Sequence, residues 1–122
     1  MNPEVAELYF KGSYYLSKLD LDRAKEIFSA ATRLDPKSAE SWAGLADACH
    51  HKAANGGGSA DLVQARVAAN KALEIDPSQA QALMVLGILS FVDLKPTESE
   101  AFFRRSIEAR PGYAMICICR LH

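Results

Sequence analysis

Apolar residues in this chain return every three or four positions in six successive stretches, with polar residues between them, which is the pattern of amphipathic helices. Asn2 before Pro3 marks the start of a first helix running to about Lys18, with Leu8, Gly12 and Tyr15 on one face. Asp20 caps a second helix ending near Leu34, whose inward face is Ala24, Ile27, Phe28 and Ala31. Ser38 caps a third, with Trp42, Leu45, Ala46 and Cys49 inward, which fades near Ala54 because Asn55-Gly-Gly-Gly-Ser59 follows. That glycine run reads as a flexible connector. Asp61 with Gln64, Ser78 with Gln81, and Thr97 with Glu100 have capping-box spacing. They predict three more helices, from Asp61 to about Ile75, over 79–93 and over 97–110, with Pro96 in the turn between the last two.

The fifth helix carries two apolar stripes. Leu83, Leu86, Gly87, Ser90 and Leu94 form one, and Met84, Ile88, Phe91 and Val92 the other. Such a helix is either buried on both sides or keeps one side for a ligand.

Three prolines impose a longer period. Pro36, Pro77 and Pro111 each stop a helix, since proline lacks an N–H and crowds the preceding turn; they are 41 and 34 residues apart. Five residues before each proline stand Ala31, Ala72 and Ser106, and twelve before stand Ala24, Ala65 and Ser99. Eight before stand Phe28, Ala69 and Phe103. Gly12 and Gly87 lie twenty-four before their prolines, with Ala46 as the middle counterpart after allowing for seven inserted residues.

In these positions the chain resembles three tetratricopeptide repeats. The resemblance is carried by Leu8, Gly12, Tyr15, Ala24, Phe28, Ala31 and Pro36, then Trp42, Leu45, Ala46, Ala65, Ala72 and Pro77, then Leu83, Leu86, Gly87, Phe103 and Pro111. Lys11, Ser99, Ser106 and the insertion depart from the family pattern. The resemblance implies an all-α fold of three helix-turn-helix units in a short right-handed superhelix, one domain over 1–122 with units at about 5–38, 39–79 and 80–113. A partial seventh helix over 114–122 is expected to follow.

The resemblance also implies that the first helices line a concave groove and that the module binds a protein or peptide there. The groove candidates are Tyr9, Ser13 and Leu16, then Asp47, His50 and His51, then Met84, Ile88, Phe91 and Val92; Glu40 and Gln81 share their register. In the chaperone-binding subfamily a cationic set grips a peptide's terminal carboxylate. The matching positions here are Tyr9, Ser13, Gly44, Gln81 and Val85, none of them cationic, so that ligand class is not expected. The runs Ala6–Gly12, Trp42–Ala48 and Ala101–Glu108 further resemble repeats attached to bacterial ToxR-like winged-helix regulators, adenylate cyclases and kinases.

Composition adds limits. A net charge of −1 gives no reason to expect nucleic acid or a membrane surface as partner, and the most apolar stretch, Ala82 to Val92, is too short to span a bilayer. The N-terminal residues lack the pattern of a signal peptide. Three irregularly spaced cysteines do not form a disulfide framework, which favours a reducing, cytoplasmic compartment; a membrane-spanning parent would place the module outside the cytoplasm. The apolar end, residues 113–122, suggests self-association as the alternative function.

No cofactor and no enzymatic activity are expected. The glycine run lacks the lysine and hydroxyl of a phosphate-binding loop. In the cluster Asp47, Cys49, His50, His51, only Asp47 and His51 are expected to share a helix face, which argues against a three-ligand metal site. Cys49 is expected in the core, and Arg104, Arg105, Arg110 and Arg120 on a solvated face.

Overall fold

The computed structural model describes residues 2–111. Six helices follow in order: α1 Pro3–Ser17, α2 Leu21–Leu34, α3 Ala39–Ala54, α4 Ser59–Ile75, α5 Ala80–Val92 and α6 Pro96–Ala109. The described residues contain no strand. The expected seventh helix lies outside the described residues.

The three prolines end helices as anticipated. Asp35, Asp76 and Arg110 follow α2, α4 and α6 with φ of −140°, −138° and −155°, extended backbone that a following proline imposes. The helix starts are less regular. Asn2 accepts from the Glu4 N–H at 2.9 Å with Pro3 at the first helical position, and Ser38 accepts from the Ser41 N–H at 3.3 Å.

The three anticipated capping boxes do not form. α4 begins two residues before Asp61, whose carboxylate is held by Lys25. Gln79, not Ser78, caps α5 by accepting from the Ala82 N–H, because the Ser78 hydroxyl and N–H are engaged by the Asp76 carboxylate. α6 starts at Pro96, so that proline belongs to the helix and Lys95 is its cap.

Consecutive helices pair as the hairpins α1·α2, α3·α4 and α5·α6. α3 meets both α1 and α2, and α5 meets both α3 and α4. Among the described residues the backbones of α2 and α4 do not pack on each other, nor do those of α4 and α6. The first helices therefore form a continuous row while the second helices stand apart, so the stack curves with α1, α3 and α5 on its inner side.

The interior is built mainly from alanines around Phe28, with Ala24, Ala43, Ala46, Ala65, Ala69 and Ala72 buried beside Leu86 and Leu89. Phe28 is fully buried because Gly12 and Gly44 leave room for it: a Cβ at either glycine would come within 2.8 Å and 2.4 Å of its ring. Phe103 lies on Gly87 in the same way, at 2.8 Å. Ser99 and Ser106, standing where the family pattern has alanine, donate their buried hydroxyls to the carbonyls of Gly87 at 2.7 Å and Ala80 at 2.9 Å, tying α6 to α5.

The insertion is only in small part a loop. The turn of the middle hairpin spans only 55–58; α3 and α4 are 16 and 17 residues long, against 15 and 14 for α1 and α2. Its tip is fastened to α2: Lys25 meets Asp61 at 2.6 Å and Lys52 meets Asp22 at 2.8 Å. Gly56 turns the chain at a φ of +100°, a conformation glycine adopts freely. In the other two hairpins Leu19 and Leu94 hold the corresponding left-handed position at φ 60°. Leu94 is thereby removed from the packing stripe expected for it and is exposed.

Candidate functional site

The inner row brings the predicted groove residues onto three neighbouring helices. On α1, Tyr9, Ser13 and Leu16 are half-buried, and the Tyr9 ring meets Phe28 edge-on with centroids 6.0 Å apart. Burial raises the Tyr9 pKa; Ser13, by hydrogen bonding, and the Arg110 guanidinium draw it back, while Glu40 and Asp47 push it up. Tyr9 is thus in electrostatic reach of α3 and of the end of α6. Sequence reasoning placed Arg110 in a solvated basic cluster, and no local pattern could have revealed its approach to α1.

On α3 the centre is Asp47. His50 Nε2 lies 3.3 Å and His51 Nε2 3.2 Å from its Oδ1, and the Gln81 side-chain amide of α5 donates to its Oδ2 at 2.9 Å. Both imidazoles reach the carboxylate, which corrects the expectation that only His51 shares a face with it. Residues three apart meet on a helix as readily as residues four apart. Burial alone would raise the Asp47 pKa, but the hydrogen bonds from His50 and His51 outweigh it and hold the carboxyl well below its usual range. Gln81 carries this network from α3 to α5.

On α5 the second apolar stripe divides. Ile88 is half-buried, and Phe91 and Val92 are 68 % and 56 % exposed. Met84 is only 3 % exposed, which corrects its expected place among accessible groove residues. The residues Ala82 to Leu86 are all buried, because α5 lies between α3, α4 and α6, and periodicity cannot separate faces in a helix covered nearly all round.

Cys49 is fully buried, and burial pushes its thiol up to about 11, so the thiolate needed for nucleophilic chemistry is scarce at neutral pH. Arg104 pairs with Glu100 at 2.8 Å on exposed surface, and Arg105 donates to the Pro77 carbonyl at 3.3 Å. A separate open depression of about 600 Å³ lies between α1 and α2, lined by Leu8, Phe10, Tyr14, Tyr15 and Ile27. Phe10 and Tyr14 are polar-face positions by period, so the sequence did not mark their part of that surface.

Hairpins stacked through their first helices, with a curved inner face, define an α-helical repeat scaffold. Residues 9–56 match the model of the tetratricopeptide repeat family, and the described residues have the fold of tetratricopeptide-repeat domains. The chain is similar to the Arabidopsis OM64 TPR domain, with a TM-score of 0.75 and 20% identity over 98% of this chain and 94% of that one. It is similar to the first TPR of Spaghetti (RPAP3), solved bound to the HSP90 peptide SRMEEVD, with a TM-score of 0.74 and 20% identity over 91% and 82%. A third likeness is to the Yersinia enterocolitica type III secretion translocator chaperone SycD, with a TM-score of 0.75 and 14% identity over 97% and 86%. No curated protein matches the sequence. Among the described residues no helix is long and apolar enough to cross a membrane.

Proposed function

We propose that this chain is a protein-interaction module that takes a partner's peptide or helix along the inner face of α1, α3 and α5. The observation that supports this reading most is the continuous inner row, with Tyr9, Asp47, His51, Ile88 and Phe91 on its helices. The HSP90 peptide held by the similar first TPR of Spaghetti supports it further.

The partner's chemistry differs from a terminal-carboxylate grip. Of the five positions that would hold one, Gly44 and Val85 are buried and the other three, Tyr9, Ser13 and Gln81, are uncharged at neutral pH. Glu40 and Asp47 make the inner face acidic at its centre, and Phe91 and Val92 offer apolar contact at one end, so a segment with an apolar anchor and hydrogen-bond donors suits it. The likeness of three sequence runs to repeats of bacterial ToxR-like regulators favours a place within a larger regulatory protein.

The test is selection of binding peptides from a displayed library, followed by affinity measurement. Tyr9→Ala and Phe91→Ser weaken the selected peptides at least about tenfold, a loss of ~1.4 kcal/mol each, and Phe91→Ser leaves the melting temperature unchanged because its side chain is exposed. If Lys71→Glu on the exposed side of α4 weakens them equally, or the two inner-face variants bind normally, the groove is not the site.

A further inference from the structure

The carboxylate of Asp47 and the two imidazoles beside it have a use that peptide binding does not require. We propose that Asp47, His50 and His51 form a site for a borderline divalent transition-metal ion of the zinc class. Three observations carry this. First, the donors come from one helix, with His50 and His51 three and four residues after Asp47, so both imidazoles meet its carboxylate before any ion arrives. Second, their separations suit such an ion. With metal–ligand bonds of about 2.0–2.1 Å, two donors of a tetrahedral ion stand about 3.3 Å apart. Asp47 Oδ1 lies 3.3 Å from His50 Nε2 and 3.2 Å from His51 Nε2. All three donor atoms lie within 4.8 Å of one another, so side-chain torsions close the remaining edge.

Third, the carboxylate is already oriented from outside the donor set. The Gln81 amide holds Oδ2 at 2.9 Å and leaves Oδ1 toward the imidazoles, the outer-sphere arrangement that fixes a metal-binding carboxylate. His50 is 8 % exposed, so the ion would be partly shielded from water. Two nitrogens and one oxygen select zinc, cobalt, nickel or copper over magnesium or calcium, which prefer oxygen alone. Coordination needs the Nε2 lone pair of each ring, so the proton that each ring presents to the carboxylate must leave Nε2 when the ion enters.

The probe is cobalt(II), followed by zinc, added to the full chain after chelator treatment. One cobalt ion per chain, with visible ligand-field bands that zinc abolishes, is expected. His50→Gln and His51→Gln each weaken binding by at least about tenfold, and Gln81→Leu by about tenfold through the outer sphere. Cys117, Cys119 and His122 are competing donors near the end of the sequence, and their replacement together by serine, serine and alanine leaves binding intact. Absence of bands and of zinc-dependent heat overturns the proposal, as does binding that survives both histidine substitutions or is lost with the three C-terminal ones. Should a histidine variant fail to fold, imidazole nitrogen shifts in the unsubstituted chain decide. Zinc must move the Nε2 resonances of His50 and His51, and their constancy sinks the idea.

Discussion

The terminal hairpins and the middle hairpin pack their two helices by different means. In the first, Phe28 of α2 fills the space left by Gly12 of α1; in the last, Phe103 of α6 lies on Gly87 of α5. The middle hairpin has Ala46 and Ala69 at the matching places, both fully buried, and adds at its tip the ion pairs of Lys25 with Asp61 and Lys52 with Asp22. One contact is met by a long side chain against none, the other by two short ones. The lesson is that the repeat fixes how much volume stands between helices and leaves open which helix supplies it. A further asymmetry separates the two aromatics: Phe28 also fills the space at Gly44 of the next hairpin, so it is enclosed from two sides, whereas Phe103 is half-buried.

The largest expected effect tests that asymmetry. Phe28→Ala removes a fully enclosed ring and costs about 3–5 kcal/mol in urea denaturation, while Phe103→Ala costs less than half as much. Equal losses would show that enclosure by Gly44 contributes nothing. Next comes Gly44→Ala, which places a methyl against the Phe28 ring and lowers stability by about 1–3 kcal/mol through overpacking, although alanine is the better helix former. A rise in melting temperature would mean that the ring moves aside at little cost.

The buried carboxylate of the middle hairpin gives a pH dependence of intermediate size. The folded pKa of Asp47 lies below the ordinary carboxyl value of about 3.9, so the unfolded chain takes up its proton first as the solution is acidified. The stabilisation is therefore complete above about pH 5 and is lost as pH falls from about 4 toward the folded pKa. Asp47→Asn makes the melting temperature fall less steeply between those limits. An unchanged slope would assign acid sensitivity to other carboxylates. The smallest effect is at the tip, where a double-mutant cycle on Lys25→Ala and Asp61→Ala gives a coupling of about 0.5–1 kcal/mol. Zero coupling would reduce the tip to the plain connector that its glycines suggest.

Much of the fold was readable from spacing. The prolines set the ends of α2, α4 and α6 because the residue before a proline is forced out of helical conformation whatever its surroundings. Gly12 and Gly87, costly in a helix, pointed to close packing, and aromatic rings provide it. Helix starts were poorly readable, since a polar residue near a start has more than one partner. Asp61 is held by a lysine thirty-six residues earlier, and Ser78 by the aspartate two before it. Neither outcome is written in the local motif. The cluster at Asp47 was visible as residue types but not as geometry, because its third partner, Gln81, arrives from another helix. On α5, apolar residues on every side hid the division between buried Met84 and exposed Phe91.

The contact pattern of the hairpins has a mechanical consequence. Among the described residues, backbone packing between the first two hairpins runs through α3, which meets α1 and α2, and packing between the last two runs through α5, which meets α3 and α4. These are also the helices of the continuous row with α1, so the joints of the stack lie along that row. A load placed across α1, α3 and α5 would therefore act on the pivots of the stack directly rather than through its outer rim.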